Sequence, residues 1–123
     1  MLQPQSIVKI TDNSGGKTAR IFKVLGGSKR RYARLGDEVV IAVQTAEPRK
    51  NVKKKDVLRA VVVRQVKSYR RKDGSYIRFD DNAVVIVEKG KKEPKANRVF
   101  GPIPREVVEA GYQKIGSLAP EIL

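Results

Sequence analysis

The sequence has 123 residues, a length that suits one domain with a modest core, and its 40% hydrophobic content favours a globular fold over a disordered chain. Cysteine and histidine are both absent, which excludes disulfides and thiolate or imidazole metal sites and removes the commonest general base. No apolar run reaches the length of a membrane span and the N-terminus lacks a charged-then-apolar secretory pattern, so the cytoplasm is the expected location.

The net charge of +14 is unevenly placed. Between Lys17 and Lys72 stand 18 Lys or Arg against 4 Asp or Glu, and the remaining residues hold 9 of each sign. Such concentrated charge repels itself unless a partner neutralises it, and nucleic acid does so with release of counterions. A merely solubilising surface would not need this segregation. An anionic membrane surface is disfavoured because no basic amphipathic helix appears.

Gln5 to Ile10 reads as a first strand, followed by a turn cluster, Thr11 to Gly16. Gly15-Gly16-Lys17 lacks the glycine spacing of a phosphate loop, and no helical pattern follows it. Ala19 to Leu25 is a second strand, interrupted by Arg20 and Lys23. Lys29-Arg30-Arg31-Tyr32-Ala33-Arg34 then places four cations around one aromatic, suited to phosphates. The sequence leaves open whether Tyr32 stacks on a base or packs on the barrel. Val39 to Ala46 is a third strand, so continuously apolar that burial on both faces is expected for part of it. Arg49 to Lys55, RKNVKKK, holds five cations in seven residues. With Pro48 near its start and no periodicity, it reads as an extended arm, either solvated or ordered by a partner.

A fourth strand re-enters at Asp56-Val57. From Leu58 to Val87, two β-branched runs, Ala60 to Val63 and Ala83 to Val87, flank a basic hairpin arm, Lys67 to Lys72, which turns at Asp73-Gly74 and again at Asp80-Asp81-Asn82. All three basic segments leave strand ends, so they could share one side of a barrel. Beyond Val87 the chain is near neutral. Glu88 to Lys95 reads as a loop, and Arg105 to Leu118 as one or two short helices limited by Gly111 and Gly116. This extension is expected to pack on the barrel or a protein neighbour.

No catalytic constellation emerges. Asp80 and Asp81 are adjacent and would point to opposite faces of a strand end, and the serines have no histidine to activate them. No cofactor or metal is implied.

Several blocks together resemble the universal ribosomal large-subunit protein fourteen family, in its bacterial or organellar form, from end to end. They include TDNSG at Thr11 to Gly15, KVLGGS at Lys23 to Ser28, Arg30-Arg31-Tyr32-Ala33, VKKKDV at Val52 to Val57, AVVV at Ala60 to Val63 and Asp73-Gly74-Ser75. Ile77-Arg78-Phe79, Asn82 to Val85, Phe100-Gly101-Pro102 and SLAPEIL at Ser117 to Leu123 complete them. The resemblance implies a mainly β fold: a small closed five-stranded barrel over residues 1–87 with projecting hairpin and loop arms, and a C-terminal extension of short helices over 88–123, in a single domain. It also implies a structural role in the large ribosomal subunit, binding large-subunit rRNA near the intersubunit face. The partners implied are neighbouring large-subunit proteins, small-subunit rRNA at a bridge, and a ribosome-silencing factor. Two departures stand out: the loop Glu88 to Lys95 is unusually charged, and Asp81 occupies a position where glycine is common.

The expected rRNA contacts are Lys17, Arg20 and Lys23; Lys29, Arg30, Arg31 and Arg34; Arg49, Lys50, Lys53, Lys54 and Lys55; Arg59 and Arg64; and Arg70, Arg71, Lys72 and Arg78. Arg98 and Lys114 are candidate contacts for a protein partner. A freestanding RNA-binding barrel or RNA chaperone is the rival expectation, and an enzyme acting on RNA a more distant one.

Overall fold

The computed structural model describes residues 2–26, 32–48, 50 and 52–123. Its strands are β1 (Ile7–Ile10), β2 (Gly16–Val24), β3 (Glu38–Ala46), β4 (Val57–Arg64), β5 (Tyr69–Arg70), β6 (Tyr76–Ile77) and β7 (Ala83–Val87), followed by helices α1 (Arg105–Glu109) and α2 (Gln113–Leu118). Strands β1-β2-β3-β4-β7 form a closed barrel, while β5 and β6 form a separate two-stranded hairpin. This is the architecture expected from the sequence. Closure comes from a parallel pairing, Lys9 with Ala83 and Ile10 with Val84, in a sheet otherwise antiparallel. It leaves no barrel edge unpaired.

Two apolar clusters hold the chain. Inside the barrel, Val8, Ala19, Ile21, Ile41, Val62, Val84 and Ile86 pack together. Outside it, Val61, Val63, Val85 and Val87 pack against Val99, Ile103, Val107, Tyr112 and Ile115 of the extension. The outer cluster explains why β7 is buried at every position: one face lines the interior and the other is covered by the C-terminal residues.

The expectation of two-sided burial falls on the wrong strand. In β3 buried positions alternate with partly exposed ones, because the extension covers β4 and β7 and stops short of β3. The two helices form where they were anticipated. Gly111, at φ +107°, separates them, and a Cβ on Gly116 would lie 2.6 Å from Val108 Cγ2, so glycine there permits their close approach.

Asp12 ties the β1–β2 turn to β7. Its carboxylate accepts hydrogen bonds from the Ile86 and Ser14 amides, at 3.0 and 3.1 Å, and from the Ser14 hydroxyl. Burial pushes its pKa above the ordinary value, and the hydrogen bonds offset part of that shift.

Candidate nucleic-acid interface

Strand polarity decides which basic segments share an end. The chain leaves β2 after Val24 and enters β3 at Glu38 at the same end of the barrel from which the hairpin arm, residues 65–82, departs. The β3–β4 loop, residues 47–56, leaves the opposite end with the β1–β2 turn. The cations therefore occupy both ends of the barrel rather than one. Between them runs the outer wall of β2, where Lys17, Arg20 and Lys23 are exposed. Arg20 pairs across to Ala42, while Lys23 faces Val40 and Val40 in turn faces Arg59. A cationic track thus crosses the barrel wall.

Each described basic segment is shaped by an aspartate. The Asp37 carboxylate accepts the Arg34 amide at 2.7 Å, Asp56 accepts the Lys53 amide at 2.9 Å, and Asp73 accepts the Ser75 amide at 3.0 Å and its hydroxyl at 2.6 Å. These bonds to Ser75 hold the Asp73 carboxyl below its ordinary pKa, with Arg105 and Arg71 adding to the effect. The arrangement is Asx-type turn chemistry. Acids so placed form loops without covering the side chains of the cations beside them.

Of the segment 49–55, the described residues, 50 and 52–55, depart from the extended arm anticipated. Val52 is fully buried, so the chain is drawn back onto the barrel, and Lys55 turns at φ 74° with its amide donating to the Val43 carbonyl at 2.8 Å. Lys50, Lys53, Lys54 and Lys55 remain exposed around that anchor. Arg34, Arg70, Lys72 and Arg78 are exposed as well. Lys29, Arg30, Arg31 and Arg49 lie outside the described residues. Tyr32 is 46% exposed, which leaves its ring accessible.

Among the described residues, three of the expected contacts have intramolecular side-chain partners. Arg71 grips Glu106 of α1 in a bidentate pair, Nε to Oε2 and Nη2 to Oε1, both at 2.9 Å, and donates to the Leu123 carbonyl at 2.7 Å. Arg105 and Asp73 add a looser ion pair at 3.8 Å. The arm is thus latched to the C-terminal extension. Arg64 is largely buried against Gly101, where a Cβ would strike its guanidinium. Its Nε lies 3.3 Å from Asp81 Oδ1 without the alignment of a hydrogen bond. Arg59 lies 3.9 Å from Glu38 and stays partly exposed.

Asp81 also pairs with Lys9 at 3.7 Å, and its backbone is not in the left-handed region, so the turn at 80–82 does not need the glycine common there. Asn82 supports this turn by accepting the Val66 amide at 2.9 Å. Of the two candidate protein contacts, Lys114 pairs with Glu93 at 2.9 Å and Arg98 lies over the Phe100 ring at 5.5 Å.

Among the described residues no group of three or more Asp, Glu, His or Cys is disposed to hold a metal ion. The unusual charge of the loop Glu88 to Lys95 was legible in the sequence, but its Lys89, Lys91 and Lys95 were not among the expected rRNA contacts. A family model described as ribosomal protein L14p/L23e matches residues 1–123.

Proposed function

The chain belongs to the ribosomal protein L14p/L23e family and is a structural, rRNA-binding constituent of the large ribosomal subunit rather than an enzyme; from that premise we propose that it works as a two-ended clamp on folded rRNA. The observation that carries this reading is the division of its cations between opposite barrel ends, joined by the exposed track on β2. Neighbouring RNA segments repel one another through their phosphates. Cations at both ends screen that repulsion, and the closed barrel fixes the spacing between them.

Arg70, Lys72 and Arg78 contact RNA at the arm. Lys53, Lys54 and Lys55 contact it at the far loop, and Lys17, Arg20 and Lys23 along the wall. Arginine adds bidentate phosphate contacts and lysine point charge. A-form helices are met by shape and backbone, since their deep major groove admits few side chains. Arg71 acts indirectly, by holding the arm to α1. At a finer level, the exposed C-terminal extension, with Arg98 and Lys114, serves neighbouring proteins, an intersubunit bridge and a silencing factor. The ribosome concerned is that of a bacterial-type cytoplasm or an organelle.

Binding to large-subunit rRNA across a salt series tests the clamp. Lys53→Ala/Lys54→Ala/Lys55→Ala and Arg70→Ala/Lys72→Ala should each flatten the log–log slope, by roughly 0.7–0.9 for every phosphate no longer neutralised. Their combination should flatten it by the sum. A wild-type slope near zero, or flattening from one end alone, refutes two-ended binding.

A further inference from the structure

The covering of the outer sheet by the C-terminal residues is incomplete. Val61, Val63 and Val85 lie beneath it, while Val57, in the same strand β4, is 63% exposed. Beside this uncovered stretch lies a groove of about 640 Å³; its lining includes the aliphatic Val40, Val57 and Val87 and the strand at Leu58, whose side chain turns to the barrel interior. Its rim carries Arg59, Lys89, Lys91 and Lys95, against one carboxylate, Glu88. The three lysines are exposed, and the loop bearing them is fixed by the Lys95 amide donating to the Ile86 carbonyl at 3.0 Å and the Glu88 amide to the Glu93 carbonyl at 3.0 Å.

We propose that this groove is an additional rRNA site, seating the sugar–phosphate backbone of one strand with riboses on the aliphatic floor and phosphates on the rim. Charge favours this occupant: the lining holds four cations and one acid, and even with Arg59 set against Glu38 at 3.9 Å the excess is positive. Continuity favours it too. The cross-strand row Lys23–Val40–Arg59 runs from the cationic track into the groove, so one strand can follow both. The floor has no aromatic ring, so the mode is backbone contact rather than base stacking. The site rests on the rRNA-binding reading above and extends it to residues of the near-neutral half of the chain.

Lys91→Ala/Lys95→Ala in the full chain tests it, because both side chains are exposed and the backbone bonds of the loop are retained. Binding to large-subunit rRNA is measured over a salt series beside Arg70→Ala/Lys72→Ala. The groove variant should flatten the log–log slope by roughly 1.5, two phosphates' worth. No change there, beside a flattened slope for the arm variant, overturns this inference alone. No change in either overturns the underlying reading with it. A photocrosslinking residue at Val57, carried into assembled large subunits, identifies the occupant. A nuclease-sensitive adduct supports the site, whereas an adduct to protein, or none, overturns it.

Discussion

At one end of the barrel the hairpin arm is held both from the core and from outside, and at the other the loop between β3 and β4 is held from the core. The arm packs Tyr69, Ile77 and Phe79 on the barrel core and adds an ionic anchor: Arg71 reaches 35 residues along the chain to Glu106, and both side chains are mostly buried, at 14% and 12% exposure. The loop's anchor is apolar: Val52 sits in the barrel core, with no exposed surface, beside the β1–β2 turn. Both ends then use an aspartate to set the local turn. Similar charge is thus presented by two different physical means. The arm draws on both the barrel core and the docked C-terminal extension, and the loop on the barrel core.

Removing the ionic anchor should give the largest effect. Arg71→Ala leaves Glu106 nearly buried without its partner and is expected to destabilise by about 3 kcal/mol. Hydrogen exchange should show the loss concentrated at residues 69–77 and α1. Equal loss of protection at residues 52–56 would show that the two ends are not independently held. Val52→Ala should cost about 2 kcal/mol in chemical denaturation, with loosening confined to the opposite end. A cost near zero would mean the loop is not anchored by its valine.

Asp56→Ala, which frees the Lys53 amide, should cost about 1 kcal/mol and leave the arm unchanged. Changes at the arm amides would contradict the separation of the ends. The smallest effect is an alkaline one. Burial raises the Tyr112 pKa to about 12, with Glu38 and Asp37 adding to the shift. The unfolded phenol ionises near 10 while the folded one keeps its proton. This contribution is therefore present below pH 10 and is lost as pH rises toward 12. Tyr112→Phe should flatten that decline, and the extension should loosen before the barrel. Identical alkaline profiles for the two proteins would refute it.

Much of the scaffold was legible because its signals are local. Asp73-Gly74 marks a turn by composition, and Gly74 indeed takes φ +90°. The β-branched run at residues 83–87 announces a strand, and the apolar spacing between Arg105 and Leu118 announces the short helices whose Val107 and Ile115 pack on the barrel. What was not legible depends on residues far apart in sequence. Nothing near Arg71 signals that its guanidinium belongs to Glu106. The continuous run at Val39 to Ala46 looks like the run at residues 83–87, and only the reach of the extension distinguishes them. Val52 sits among lysines that suggest full solvation, yet its side chain overrides that local impression. Lys89, Lys91 and Lys95 gain meaning only beside Arg59, which arrives from another strand.

The parallel seam has a consequence for how this chain is made. β1 emerges from synthesis early, yet its partner on that side is β7: Ile10 meets Val84, and Asp12 meets Ile86 across 74 residues. The barrel therefore cannot close until residue 87 is available, and the outer cluster needs residues to Ile115. A prematurely terminated chain would retain its lysines and arginines without the frame that orders them. Maturation of the cationic surface thus waits on synthesis as far as Ile115, well past the arm's last cation at Arg78.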